Sequence, residues 1–396
     1  MATESPAAAQ PARVAFYNDP KFRGIFYQLA LFAVVLWLGY EFFVNARDNL
    51  RAAKIATGFG FLDNTAGFSI NQTLIPYTES DTYGRVFLVG LLNTLLVAFI
   101  GIVLATVLGF VVGISRLSSN WLLQRLAGAY VELIRNLPLL FQILFWYLAV
   151  LGALPGPRQS ISVFGEAFIN NRGLFIPRPL FDSGSELVLA AFVIGILASL
   201  GIRAWARRRQ LATGRQFPVL WTALALVLGG TLAALIATGF PISFEKPVLR
   251  GFNFAGGLRV IPEFVALLIA LVTYTAAFIA EIVRAGILAV SHGQTEAAYS
   301  LGLKPGQTLR LVVVPQALRV IIPPLTSQYL NLTKNSSLAV GIGYPDLFAV
   351  FAGTTLNQTG QAIEIIAITM AVYLAISLIT SALMNWYNAR VRLVER

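Results

Sequence analysis

The chain has 396 residues, 57% of them hydrophobic and only 12% charged, with a mean hydropathy of +0.73; this is about half the charged share of a soluble domain and points to lipid as the solvent. The net charge of +11 does not describe a nucleic-acid partner, because the basic residues are spread between long apolar runs, where they set topology. With no Cys and a single His292, disulfides, thiolate ligands and histidine clusters are excluded, so no metal site is expected.

Residues 1–24 are polar, small and Pro-containing and lack the basic start and immediate apolar core of a cleavable signal, so they read as a cytoplasmic tail. A span needs about 20 mostly apolar residues. Eight stretches qualify, near 25–44, 86–115, 137–155, 187–205, 217–239, 264–290, 318–345 and 361–386, which predicts an all-α membrane protein. The seventh is interrupted by Lys334, Asn335, Ser336 and Ser337 and is not expected to be one straight helix. With the N-terminus inside, 18 of the 29 Lys and Arg residues fall in cytoplasmic segments and 10 outside, with Lys334 inside a span, so both termini are expected in the cytoplasm. The cluster Arg203, Arg207, Arg208, Arg209 and Arg215 is the strongest contribution to that orientation.

The stretches 45–85 and 156–185 read as external connections rich in turn residues, and neither reads as a folded domain. In the second span, Gly101, Ala105, Gly109 and Gly113 recur every four residues, aligning small side chains on one face for close helix packing. Asn93 and Thr94 on the same span either line a pathway or hydrogen-bond between helices. Glu132 and Arg135, and Glu281 and Arg284, are three residues apart, the spacing of an ion pair on one helix face. Lys334 costs about 2.5–3.5 kcal/mol at a bilayer midplane on insertion scales, so it needs a partner, a watery path or an interfacial position.

Between the sixth and seventh spans, 291–319 is too polar to cross lipid. Ser291 and Gln294 have capping-box spacing, Glu296 to Leu301 are good helix formers, and Gly302 falls where a helix ends in a left-handed residue. Pro305 and Gly306 then force a turn, and a second helix begins near Gln307 with Pro315 bending it. Ala297 and Ala298 give the first helix a narrow face, suited either to a groove on a soluble partner or to the membrane surface. His292 reads as a loop residue.

Glu296, Ala297 and Ala298, preceded by Gly293 and followed by Gly302, Val312, Val314 and Pro315, resemble the "EAA" loop of permease subunits from binding-protein-dependent ABC importers. Val312 and Val314 stand where that family usually shows Ile and Leu. The flanking "FIAEIVRAGILAVSHGQTEAAYSLGL", "NLTKNSSLAVGIGYPDL" and "YVELIRNLPLLFQILFWY" resemble the polar amino-acid branch of that family. The resemblance implies a type I importer core of five helices over 84–152 and 262–396. The first span with its loop (25–83) and the insert 153–261, with two spans, would be additions, as in the long permeases of general L-amino-acid or glutamate/glutamine/aspartate/asparagine transporters.

It also implies a bacterial inner-membrane location and several partners: a cytoplasmic ABC ATPase dimer that uses ATP and Mg, a second permease subunit, a periplasmic binding protein and an amino-acid substrate. The chain itself lacks a Gly-x-x-x-x-Gly-Lys-Ser/Thr phosphate loop, so it is expected to be a transport subunit and not an enzyme, with no cofactor of its own. Two rival classes predict other patterns. A secondary transporter predicts matched broken helices in two halves, and only one broken segment is visible; a membrane enzyme has no recognisable catalytic constellation in this sequence.

Overall fold

The computed structural model describes residues 20–52 and 57–391; the tail predicted at the N-terminus lies, up to residue 19, outside the described residues. Seven of the described helices are long and apolar enough to cross a membrane, or eight if one sharply bent pair counts as a span.

The core is built around α2 (Tyr83–Ser115) and α8 (Pro262–Leu288). The small-residue stripe of α2 faces α8 so closely that a Cβ on Gly109 would sit 2.5 Å from Ile279 Cγ2, and one on Gly113 2.7 Å from the Ala280 carbonyl. Backbone approach of this kind is how helices associate where lipid supplies no hydrophobic drive. Higher on the same stripe, Gly90 packs on Leu347 and Gly101 on Leu332.

The third predicted span, 137–155, begins at a sharp bend. α3 (Trp121–Asn136) and α4 (Leu139–Leu144), continued by a π-turn through Phe145–Leu151, meet at 107°. Pro138 cannot donate a helical hydrogen bond and holds Leu137 in an extended conformation, which ends α3. The carbonyls orphaned at the break are recovered by Gln142, whose Nε2 donates to the oxygens of Ile134 and Leu137, both at 3.0 Å.

The seventh predicted span starts earlier than its apolar run. The chain is helical from α10 (Pro305–Thr308) through a π-turn at Leu309–Val313 into α11 (Val314–Asn335). The π-turn lies just before Pro315, whose missing N–H removes one ladder bond. At Ser336 the helix tightens to a 3₁₀ segment, Ser336–Ile342, and Gly343 then turns the chain with φ +75°. A short π-helical stretch, Phe348–Thr355, α12 (Leu356–Thr359) and α13 (Ala362–Val391) complete the bundle.

Two parts stand beside this bundle. α1 (Pro20–Ala52) buries none of its most apolar window against the rest of the chain. α5 (Ser185–Thr213) packs against α6 (Val219–Leu224) and α7 (Gly230–Ala237), joined by a π-turn. Gly195 of α5 admits the Leu226 carbonyl, which a Cβ there would approach to 2.9 Å.

The expectation that 156–185 is only a loop is corrected. It carries β1 (Ile161–Val163), β2 (Ala167–Asn170), β3 (Gly173–Ile176) and β4 (Arg178–Phe181), while β5 (Ile242–Glu245), β6 (Val248–Arg250), β7 (Asn253–Ala255) and β8 (Leu258–Val260) follow α7. β3 pairs with both β2 and β8, and β4 with β5, all antiparallel, so two segments separated by the α5–α7 hairpin form one β module. Phe168 and Phe254 stack at 4.6 Å inside it, and Gly173 (φ +125°) lets β8 approach where a Cβ would lie 2.3 Å from the Val260 carbonyl. Between α1 and α2, Phe61 and Ala66 are buried in a cluster with Tyr83, Leu347 and Phe351.

Candidate functional site: the exposed helical hairpin and the charged faces of the bundle

α9 (His292–Ser300) follows α8 directly and stands clear of the bundle. Its start differs from the expected capping box: Ser291 is the N-cap, but only its backbone carbonyl takes part, accepting from Gln294 N at 3.0 Å. His292 is the first residue of the helix, not a loop residue, and its Nδ1 lies 3.0 Å from Glu296 Oε1. The C-terminus closes by two reversed bonds, Gly302 N–H to the Tyr299 carbonyl at 2.8 Å and Leu303 N–H to the Ala298 carbonyl at 3.1 Å, with Gly302 at φ +79°. This Schellman pattern needs a residue that accepts positive φ, which is why the glycine is there.

Ala298 is buried, α9 packs against the π-turn Leu309–Val313, and Gln294 meets Gln316 of α11 at 3.2 Å. Gly293, Glu296 and Ala297 lie on the exposed side. Tyr299 and Leu301 are 49% and 82% exposed, so apolar surface projects away from this chain. Pro315 sits at the first turn of α11, coupling α9 and α10 to the long helix behind them.

At the same end of the bundle, Glu281 gathers guanidinium groups from three helix ends. Arg284 donates to its Oε1 through Nη2 at 2.8 Å and Nε at 3.2 Å, and Arg116, next after α2, bonds to Oε2. Arg135 of α3 approaches at 3.9 Å and lies over the Phe278 ring at 5.0 Å. The expected Glu132–Arg135 pair therefore does not form: Arg135 turns to Glu281, whose two oxygens are already the focus of positive charge, and Glu132 stays unpaired among the described residues. The sequence marks Arg116 only as an inside charge; its bond to Glu281, 165 residues away, comes from the packing of α2 on α8.

The remaining pathway candidates divide. Asn93 and Thr94 are fully buried. Asn93 Nδ2 donates to the carbonyls of Gln72 and Pro345 at 3.0 and 2.8 Å, and Thr94 Oγ1 accepts from Leu347 N at 3.0 Å. They clamp the 343–347 turn onto α2. Ser336 is also fully buried, with its hydroxyl on the Thr333 carbonyl at 2.8 Å, and Asn335 is half-buried. Lys334 and Ser337, by contrast, line an open cavity of about 370 Å³ with Phe348, Thr369, Tyr373 and Ser377. No carboxylate pairs with Lys334 among the described residues.

Asp346 was not singled out by the sequence reading. It is fully buried, its carboxylate accepting from Ala349 N at 2.8 Å and from the Tyr373 hydroxyl at 3.3 Å, and it caps the helical stretch that follows. The signal was a lone acid in the otherwise apolar "GIGYPDLFAVF".

The family of binding-protein-dependent transport system inner membrane components matches residues 101–393, nearly three quarters of the chain. The chain belongs to this family. Several proteins are similar to this chain over almost its whole length. The general L-amino acid transport system permease protein AapQ of Rhizobium johnstonii is 55% identical over 97% of this chain and 96% of its own. The putative amino-acid ABC transporter permease protein YhdX of Escherichia coli is 55% identical over 96% and 97%. The glutamate/glutamine/aspartate/asparagine transport system permease protein BztB of Rhodobacter capsulatus is 42% identical over the full length of both.

Proposed function

We propose that the chain is the membrane-spanning permease subunit of an ATP-driven importer that carries L-amino acids inward. The observation that carries this reading is α9: a short, exposed helix closed at Gly302, presenting Glu296, Tyr299 and Leu301 outward and joined through Pro305–Thr308 to the base of α11. Such a knob passes force only if it is rigid, and the Schellman closure and the Gln294–Gln316 contact supply that rigidity. The relatives' names support amino acids as cargo, and their long forms support the same arrangement of spans.

In this reading the α9 end faces the cytoplasm of a bacterial cell, both termini lie there, and the β module faces the periplasm. A soluble ATPase dimer using ATP and Mg docks on α9, a second permease subunit, a homologous but different chain, completes the pathway, and a periplasmic binding protein delivers the substrate. ATP-bound and ATP-free forms of the dimer hold α9 in different positions, and that difference rocks the bundle between outward and inward openings. The Lys334 cavity is the part of the pathway where a substrate carboxylate meets a positive charge.

Glu296→Lys in the complete complex, reconstituted in vesicles, tests the assignment. The expected result is normal membrane insertion with loss of binding-protein-stimulated ATP hydrolysis and amino-acid uptake. Wild-type coupled transport in this variant would remove α9 from the docking role.

A further inference from the structure

Beside the Glu281 cluster opens a cavity of about 600 Å³, lined among others by Arg116 just after α2, Trp121, Arg125, Gly128 and Glu132 from α3, and Arg284 from α8. That volume falls within the roughly 300–1,000 Å³ of small-molecule sites. Arg116 and Arg284 are held by Glu281, which fixes their guanidinium planes while leaving further N–H groups on each unused. Arg125 and Glu132 form no side-chain hydrogen bond or ion pair among the described residues. Both side chains are exposed, which leaves them free to meet a ligand that enters the cavity.

The chemistry of the wall is two-signed. Guanidinium groups are forked donors matched to a carboxylate, and a lone carboxylate on the neighbouring turn is matched to an ammonium. Arg125 and Glu132 lie seven residues apart on α3, two turns along one face, with Gly128 between them on that face. A Cβ built on Gly128 meets nothing within 4 Å, so the space over it is open.

We propose that this cavity is a release-side subsite for a zwitterionic α-amino acid. The α-carboxylate is held by Arg125 together with Arg116 and Arg284, the α-ammonium by Glu132, and the side chain lies over Gly128. The subsite recognises the charges that every amino acid shares and leaves the side chain room, which is a physical route to broad selectivity. The inference rests on the reading of the chain as an amino-acid permease.

The test is equilibrium binding of radiolabelled L-alanine and L-phenylalanine to the purified permease–ATPase complex without binding protein, beside uptake by the full system in vesicles. Arg125→Gln and Glu132→Gln are each expected to weaken binding of both amino acids about tenfold, the loss of one charge-assisted hydrogen bond. Glu132→Asp, which keeps the charge, is expected to recover part of that loss, separating ligand contact from folding. Gly128→Val, at a position where a Cβ meets nothing within 4 Å, is expected to weaken L-phenylalanine at least fivefold more than L-alanine. Unaltered binding in all three neutralising or filling variants overturns the subsite, as does absence of binding in a complex that transports. Absence of amino-acid transport by the wild-type full system overturns the underlying reading instead.

Discussion

Arg116 and Glu281 meet across the α2–α8 contact, 165 residues apart in sequence and bonded through Nη1 and Oε2. The pair locks the ends of the two helices whose glycine stripe already forces them together, and Arg284 and Arg135 add charge from α8 and α3. Glu281 is thus one carboxylate holding three positive groups, and its removal leaves them facing one another.

Glu281→Gln is expected to destabilise the chain by about 2 kcal/mol, below the 3–5 kcal/mol of a fully buried pair because the group is partly exposed. In a double-mutant cycle, Arg116→Gln in the Glu281→Gln background is expected to cost less than in the wild type, since it relieves repulsion. Thermal unfolding in detergent with lipid measures both; additive effects would mean that the contact is not energetically coupled.

At Thr94, replacement by Val keeps the shape and leaves the buried Leu347 N–H without its acceptor. The expected cost is about 1–3 kcal/mol, the desolvation penalty of one orphaned donor. A loss below half a kilocalorie in the same unfolding assay would show that the 343–347 turn relaxes to find another partner.

The stripe on α2 was legible in the sequence because a four-residue repeat of small residues is a local pattern, and the structure puts it against α8. The bend between α3 and α4 was half legible: Asn136 and Pro138 were visible, but a 107° turn depends on Gln142 reaching back to two carbonyls. The β module was not legible. Its strands are three or four residues long, too short for alternation to register, and β3 and β4 find partners in β8 and β5 beyond an intervening helical hairpin. In the site, the Glu281–Arg284 spacing is met by a bond within one helix, whereas Arg116 and Arg135 reach Glu281 only through tertiary packing that no spacing encodes. The α9 hairpin was the most legible part, since helix formers followed by Gly302 specify its local geometry.

Gly109→Val is expected to be far more damaging than Gly201→Val. The first pushes side-chain atoms into Ile279, which a bare Cβ already approaches to 2.5 Å, while a Cβ at Gly201 meets nothing within 4 Å. Overpacking of this kind costs about 1–3 kcal/mol and more where backbones must part. Size-exclusion profiles after graded heating separate the two; equal profiles would mean that α2 and α8 are not in close contact.

For Lys334→Ala, the expected outcome is altered substrate uptake with ATPase attachment intact. Lys334 lines the cavity with Ser337, Thr369 and Ser377, outside α9, so its loss changes the cavity and not the docking knob. Lys334→Arg is the informative companion, because it keeps the charge but presents a flat fork in place of a compact ammonium. If the cavity carries a substrate carboxylate, the Arg variant retains more uptake than the Ala variant. Co-purification of the ATPase with both variants is measured in parallel. Loss of the ATPase from the Ala variant would take Lys334 out of the pathway and make it a support of the α11 end that α9 pulls on.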